Sequence, residues 1–410
     1  VQTSETDLEK EPGRRPLDGI RVLEMGQLMA GPFAGTLLAY YGAEVIKVEP
    51  PEGDPVRGLR LVEDGTSLWW YTLGRNKKSI VLDLRKEEGR EIARRLARQV
   101  DVVVENFRPG TLERWGLDPA SIQPHNPGLT YARVSGYGQT GPRSSQPGYA
   151  SVCEGFGGLR YVTGFPGGPP VRANLSLGDS LSGLHAAFGV VLALLDRARR
   201  GPDAGSGQVV DLAIFESVFN MLEAVVPEYD RLGEVRQPSG STITGIVPSN
   251  TYPCKDGKSV IIGGNGDSIY RRLMRVAGRS DLAEDPRLTN NEGRVRYQQE
   301  VDEALAAWTR TLTVEEALAA LEAASVPAGP IYSVADMAQD EQYRARGLFE
   351  EIEAGGRPLK VPAMAPKLSA TPGRTDWAGP PLGAHTREVL QTMLGLGDEE
   401  IEGLRQAGVV

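Results

Sequence analysis

Asp179 lies in "SLGDSLSGLHAAFGVVLALL", Ser176 to Leu195, a single carboxylate set behind a glycine and ahead of small residues and a long apolar run. Leu181, Leu184, Phe188, Val191 and Leu195 recur at the helical period, so Asp179 falls at the N-cap or in the first turn of a buried helix. That is a favoured capping position. It also suits a nucleophile, because the positive end of a helix favours ionisation of a carboxyl whose ordinary pKa of about 3.9 already leaves it charged. Gly178, Ser180, Ser182 and Gly183 would let a substrate carbonyl approach closely and would offer N–H donors to an oxyanion. The two readings are compatible.

The turn Gly26-Gln27-Leu28-Met29-Ala30-Gly31-Pro32 follows a strand and opens a helix, where doubly wound folds present N–H groups to phosphates. Its spacing is not GxGxxG, and Gly257-Lys258-Ser259 has Tyr252 where GxxxxGK[ST] needs its first glycine, which disfavours dinucleotide or P-loop binding; a purely structural turn is the competing reading. Glu49 ends the second strand where a dinucleotide enzyme would hold ribose, a signal that means little without the glycines. Basic residues cluster in "GRNKKSIVLDLR" (Arg75, Lys77, Lys78, Arg85) and in "ENFRPGTLERWG" (Arg108, Arg114) beside a glycine-initiated helix start. Such a cluster suits a phosphate or pyrophosphate, and otherwise reads as a solvated basic face. The three histidines are His125 in a polar turn, His385 in a C-terminal loop and His185 in an apolar helix, where a satisfied core histidine is expected. No GxSxG serine is present, so a Ser-His-Asp arrangement is not indicated.

A formal charge of −9 gives no global attraction to nucleic acid or anionic membrane. Small-molecule partners follow. Cys153 and Cys254 form no CxxC pair and there is no His-rich cluster, which argues against a disulfide framework or a metal site and fits a reducing cytoplasm. Residues 1–16 are polar without an apolar segment and read as a loose tail, and no uninterrupted apolar run has membrane-spanning length.

The elements that must position these residues alternate. "IRVLEM", "AEVIKVE", "KSIVLDL", "DVVVENF" and "GLTYARVSGYG" read as strands, with "FAGTLLAYYG" and "EEGREIARRLARQV" as helices between them. Alternation of this kind implies an α/β fold with a mostly parallel, helix-covered sheet. "RRGPDAGSGQ" is a turn-rich break before "VVDLAIFESVFNML", a strand running into a helix. From residue 227 Gly, Pro, Ser and Thr dominate "RQPSGSTITGIVPSN", a domain boundary or active-site loop. A strand "KSVIIGGN", a helix "SIYRRLMRVAG" and a helical pair with a capping box at Thr313 then suggest a smaller α+β domain. The expected organisation is a tail at 1–16, a large domain at 17–226, a small one at 227–330 and a segment, 331–410, returning to the large domain.

Several stretches together resemble the class III CoA-transferases of the formyl-CoA transferase and carnitine CoA-transferase type. "PLDGIRVLEMGQLMAGPFAGTLLAYYGAEVIKVE", "NKKSIVLDLR", "DVVVENFRPGTLERWGL", "SGYGQTGP", "LGDSLSGLHAAFGVVLAL", "GSGQVVDLAIFESVF", "SVPAGPIYSV" and "PPLGAHTREVLQ" occur in that family's order. The resemblance implies a ring-like homodimer of two interlocked chains. Each has a Rossmann-like large domain made from both chain ends and a small domain inserted between them. It further implies that Asp179 is the nucleophile, forming aspartyl anhydride and aspartyl-CoA thioester intermediates. Leu28 and Ala30 match the turn at the CoA end near the site, Leu82 and Arg85 match adenine- and phosphate-side positions, and Asn106, Phe107 and Arg114 match further CoA contacts. Met29, Tyr137 and Gly138 match residues that face the acyl group. No metal and no cofactor beyond coenzyme A as substrate is implied.

Two departures bear on substrate. Met29 stands where formyl-CoA:oxalate enzymes have a glutamine, and "PSGSTITGIVPSN" lacks their tetraglycine run, so oxalate is not the expected acceptor. The related α-methylacyl-CoA racemases carry a His-Asp pair where this chain has Gly148-Tyr149-Ala150, so racemisation lacks its paired base. "ESVFNMLEAVVPEYD" is most similar to members using succinyl-CoA and a hydroxy- or unsaturated dicarboxylate such as malate, citramalate or itaconate. Ser241, Thr242 and Thr244 are candidate anchors for such an acid, with ordinary loop chemistry as the alternative. A CoA-binding subunit that needs a partner chain is a third reading.

Overall fold

The computed structural model describes residues 13–201 and 207–410, arranged as two compact units. Residues 1–12 of the expected tail, and 202–206 of the turn-rich break, lie outside the described residues. Where the tail ends, Arg15 is not loose: its Nη1 meets Asp376 at 2.6 Å. The larger unit joins the residues up to Leu159 with Ala173–Glu223 and Ala345–Val410; the smaller joins Arg160–Arg172 with Ala224–Arg344. Composition did not mark the excursion at 160–172, which is tied to the small unit by bonds from Gly240 N–H to Gly164 O (2.8 Å) and from Gln237 to Tyr161 Oη (3.1 Å). The return to the large unit comes at Ala345 rather than at 331.

The large unit is built on six parallel strands: β1 (Arg21–Glu24), β2 (Glu44–Glu49), β3 (Lys77–Val81), β4 (Val102–Glu105), β5 (Thr130–Ser135) and β6 (Val209–Ala213). Their order is β3-β2-β1-β4-β5-β6, with Val22 of β1 opposite Val45 and Val102. This is the doubly wound order of dinucleotide folds, and the direction of winding reverses between β1 and β4. Both sheet faces are covered, which is why "VVVE" runs without polar alternation. Ile46, Ile80, Val103 and Tyr131 pack on one face with Leu96 and, from the C-terminal helices Thr386–Leu394 and Asp398–Gln406, Leu390 and Ile401. Val45, Val104 and Ala132 pack on the other with Leu38 of α1 (Ala30–Tyr40) and Val190 of a later, longer helix.

Between these come α2 (Glu87–Ala97), α3 (Thr111–Trp115) and α4 (Ala150–Phe156), followed by that longer helix, α5 (Leu177–Arg200), and by α6 (Ile214–Phe219). Contrary to the expectation from sequence, the 24 residues of α5 are long and apolar enough to cross a membrane by length and composition. Its close contacts are with α1 and β6. A Cβ on Gly183 would lie 2.9 Å from Ala30 O and from Phe33, and one on Gly189 would lie 2.6 Å from Val210.

The outer edge of β3 is closed by the far end of the chain. Ser79 N–H donates to His385 Nδ1 (3.2 Å), Val81 N–H to Thr386 Oγ1 (3.0 Å), and His385 N–H to Ser79 O (2.9 Å). The small unit carries an antiparallel sheet of Ser249–Pro253, Ser259–Gly263 and Ala328–Pro330, covered by helices that include Asp267–Val276, Gln298–Thr309 and Val314–Ala323. Thr313 caps the last of these, exchanging bonds with Glu316 as its spacing predicts.

Candidate active site

Asp179 is the third residue of α5, and Ser176 occupies the N-cap without a side-chain cap bond. The aspartate is therefore not the cap; its half-buried carboxylate sits in the first turn, where the helix dipole still favours its charge. Gly178 N–H donates to Glu154 Oε1 at 3.1 Å, and Glu154, on α4, is buried. Beside it the Cys153 Sγ–H donates to Gly136 O at 3.3 Å. Burial, then the negative charges of Asp179 and Glu154, push this thiol up to about 11, so it stays protonated and is no competing nucleophile. Ser180 and Ser182 turn their hydroxyls back onto Ser176 O (3.0 Å) and Gly178 O (2.7 Å), and so bond within the helix.

The segments beside Cys153 are pared down to backbone. A Cβ on Gly136 would lie 2.8 Å from Gly148 Cα, so these two segments touch through glycines. Tyr137 packs edge-on to Phe156, 5.4 Å between ring centroids, and Phe156 in turn packs on Phe215. Gly138 takes a φ of +85°, which lets the chain turn sharply, and the next N–H donates to Asp211.

Two clefts open at the carboxyl ends of the strands, where winding reverses and ligands of doubly wound folds bind. The first, of about 190 Å³, is lined by Met25 and Gln27 after β1, Pro50 after β2, Leu82 and Arg85 after β3, and Phe107 and Trp115 after β4. The second, of about 120 Å³, shares Phe107 and adds Asn106, Arg108, Ser135, Gly136, Gly148 and Tyr149. The Ser135 hydroxyl there is buried and, among the described residues, makes no hydrogen bond. Phe107 thus lines both clefts, and Gly148 of the second lies beside Cys153, where a Cβ would be 3.2 Å from Sγ.

The basic cluster divides. Arg75 is buried and donates to Pro362 O at 2.7 Å; Lys77 is buried against Glu24; Lys78 pairs with Glu44 and Glu388. These three are structural, neither a solvated face nor a phosphate site. Arg85 reaches the first cleft while paired with Asp83 and Glu52. Arg108 and Arg114 are exposed and, among the described residues, make no ion pair; Arg114 donates to Thr111 Oγ1 at 3.1 Å. Glu49 is not poised for ribose either: it is buried and holds both arms of Arg57, at 2.7 and 2.8 Å.

The first turn is equally committed. Gln27 N–H goes to Asn106 Oδ1 at 2.8 Å, Asn106 Nδ2 returns to Gln27 O at 2.8 Å, and Leu28 N–H goes to Asp54 Oδ1 at 3.2 Å. These N–H groups are unavailable to a phosphate. Asn106 braces the turn, Leu28 and Met29 are half-buried, and Ala30 is buried within the core. In the small unit, Ser241 donates to Asn250 and Thr242 to Ser239 O, so these hydroxyls close their own loop. His185, expected to be a satisfied core histidine, is half-buried and its Nδ1 makes no hydrogen bond. Glu154, Trp115 and Asp54 were missed. Asp54 did carry a signal, since Asp-Pro opens the short helix it caps, but nothing local shows that its other bond reaches Leu28.

The model of CoA-transferase family III matches residues 17–386. The chain is 45% identical to succinyl-CoA–D-citramalate CoA-transferase of Chloroflexus aurantiacus over 97% of this chain and 98% of that one. It is 39% identical to the same organism's succinyl-CoA–L-malate CoA-transferase beta subunit, over 96% and 98%. A crystal structure of a CAIB/BAIF family protein from Brucella suis is 34% identical with a TM-score of 0.80, over 93% and 100%. Likeness of this extent, in sequence and in fold, makes the conclusion direct: the chain belongs to CoA-transferase family III, enzymes that move coenzyme A from an acyl-CoA to a carboxylic acid.

Proposed function

We propose that this enzyme transfers CoA from succinyl-CoA to a hydroxy- or unsaturated dicarboxylate, with Asp179 as the covalent relay. The observation that carries the mechanism is a half-buried carboxylate in the first turn of α5, close to a thiol that burial keeps protonated. The Asp179 carboxylate attacks the thioester carbonyl, giving a mixed anhydride and CoA thiolate. The thiolate attacks the aspartyl carbonyl, forming an aspartyl-CoA thioester and releasing the donor acid as its carboxylate. The acceptor carboxylate attacks that thioester, again giving an anhydride and thiolate, and the thiolate then takes the new acyl group and frees Asp179. Each intermediate remains activated, so the thioester is conserved provided water is kept out.

The clefts support a matching ligand path. The nucleotide of CoA suits the first cleft, between Leu82, Phe107 and Trp115, with Arg85 of that cleft and Arg108 of the second near its phosphates. The thiol arm then suits the second, where the free Ser135 hydroxyl can meet an amide. Tyr137, Gly138 and Met29 would face the acyl group. The substrate pair rests on the relatives named for succinyl-CoA with citramalate or malate.

A homodimer in the cytoplasm is the proposed setting; for the dimer, Leu184, Phe188, Val191, Leu192 and Leu195 on α5 give support by leaving an exposed apolar stripe, with Phe188 60% accessible. A second reading is a subunit completed by a different chain, because two relatives are named as alpha and beta subunits of one enzyme. The test is a panel of acyl-CoA donors and carboxylate acceptors with the purified protein, read by mass spectrometry of the CoA products. Transfer from succinyl-CoA to a C4 or C5 dicarboxylate is expected. Asp179→Ala should lower it at least 10³-fold while remaining folded, and hydroxylamine with donor should mark Asp179 as a hydroxamate. Full activity of Asp179→Ala removes the mechanism, and activity only on adding a related chain selects the second reading.

A further inference from the structure

Leu28 holds a φ of +64°, a left-handed backbone that costs a leucine roughly 1–2 kcal/mol. What holds it lies beneath the turn. Asp54, 1% exposed, accepts Leu28 N–H on Oδ1, and its Oδ2 meets Lys47 Nζ at 2.8 Å. Lys47 also donates to Glu24 Oε1 (3.0 Å) and Gly26 O (2.8 Å). The second Glu24 oxygen takes Lys77 Nζ at 2.7 Å, and Lys77 donates to Pro32 O at 2.6 Å. Asp54 N–H goes to Glu49, which holds Arg57. Three carboxylates therefore face three cations, with all but Arg57 essentially sealed from solvent.

Burying so many charges brings little net stability, since the desolvation cost offsets their attraction and apolar replacements often do as well. Orientation is what such a network can supply. Of the backbone groups it grips here, Gly26 O and Pro32 O flank Gln27–Met29 and Leu28 N–H lies within it. Gly35 on α1 leaves the space that the Glu24 carboxylate fills.

We infer that Asp54, anchored through Lys47 to Glu24 and Lys77, is a positioning residue that sets the backbone of Leu28 and Met29 and thereby the wall against which the acceptor acid is selected. This rests on the proposed placement of Met29 at the acyl group. Asp54→Ala releases Leu28 N–H and lets the turn relax toward ordinary φ. A wall that moves changes which acid fits, whereas general loosening slows all acceptors alike.

The experiment compares wild type, Asp54→Ala and Asp54→Asn with one donor and two acceptors that differ by a methylene, alongside hydrogen exchange of the peptide spanning Gly26–Ala30. In Asp54→Ala the ratio of kcat/KM between the acceptors should collapse by about tenfold, within the range a methylene commands. Exchange at Gly26–Ala30 should rise at least tenfold. Asp54→Asn, which keeps an acceptor for Leu28 N–H, should restore both to within threefold. Should Asp54→Ala fail to fold, Asp54→Ser keeps the cap on Val56 but cannot serve Leu28 and Lys47 as well, and it carries the same expectation. A folded Asp54→Ala or Asp54→Ser with an unchanged ratio, or with unchanged exchange, overturns the inference. Wild type that transfers no CoA would instead refute the proposed function, and the exchange readout stands apart from that outcome.

Discussion

Glu105, at the end of β4, shows how one side chain ties the sheet to the first cleft: its carboxylate takes Arg133 Nε at 2.8 Å and Phe107 N–H at 2.8 Å. Burial pushes this carboxyl up to about 7 against the pull of Arg133. A carboxyl whose folded pKa lies above its unfolded value binds more protons when folded. Its contribution to stability is full below about 4.5 and is lost as pH rises through 7. Glu105→Gln, which stays neutral, should therefore be most destabilising relative to wild type near pH 5, and the gap in denaturant midpoint should narrow by pH 8. A gap that widens with pH would place the ionised form as the favoured one. At this scale the sequence was legible only where a residue's neighbours are local. Asp179 could be picked out because a helix period surrounds it. Lys77 and Arg75 could not be told from surface cations, because Glu24, Pro32 and Pro362 reach them from distant parts of the chain.

The crossing of α1 and α5 fixes the turn that bears Leu28 against the helix that bears Asp179. Gly183 makes the crossing close, with no room for a side chain between α5 and Ala30 O. Gly183→Ala should force the helices apart, at about 1–3 kcal/mol for an overpacked contact. A fall in Tm with a larger relative loss of kcat than of donor affinity is the expected pairing. The strands and principal helices were readable because a buried parallel sheet writes continuous β-branched runs between helical periods. Helix α4 was not, since "ASVCEGF" is short and has no apolar period, yet it supplies Glu154 and Cys153 beside the aspartate. The hairpin of Phe349–Ala354 and Arg357–Pro362 was missed too; its "EAGGR" turn lies in a segment whose prolines hid the strands.

For the whole molecule, the exposed stripe on α5 carries the test of assembly. Phe188→Glu places a charge in the middle of that stripe, and the proposed dimer should dissociate toward the chain mass in light scattering, with loss of transfer activity. An unchanged mass would remove α5 from the interface. The two units are not contiguous in sequence: 160–172 and 331–344 belong to the small one through contacts that composition does not encode.

The closure of β3 by His385 and Thr386 has a consequence for synthesis. Some 306 residues separate Ser79 from His385. At ribosomal rates of about 5–20 residues per second, the edge strand waits roughly 15–60 s with its outer N–H groups unsatisfied. An edge with unsatisfied N–H groups is a template for pairing with another nascent chain. His385 and Thr386, translated long after the strand they cover, are thus the residues that end this edge's exposure, and a ribosome stalled shortly before them leaves the sheet with an open side.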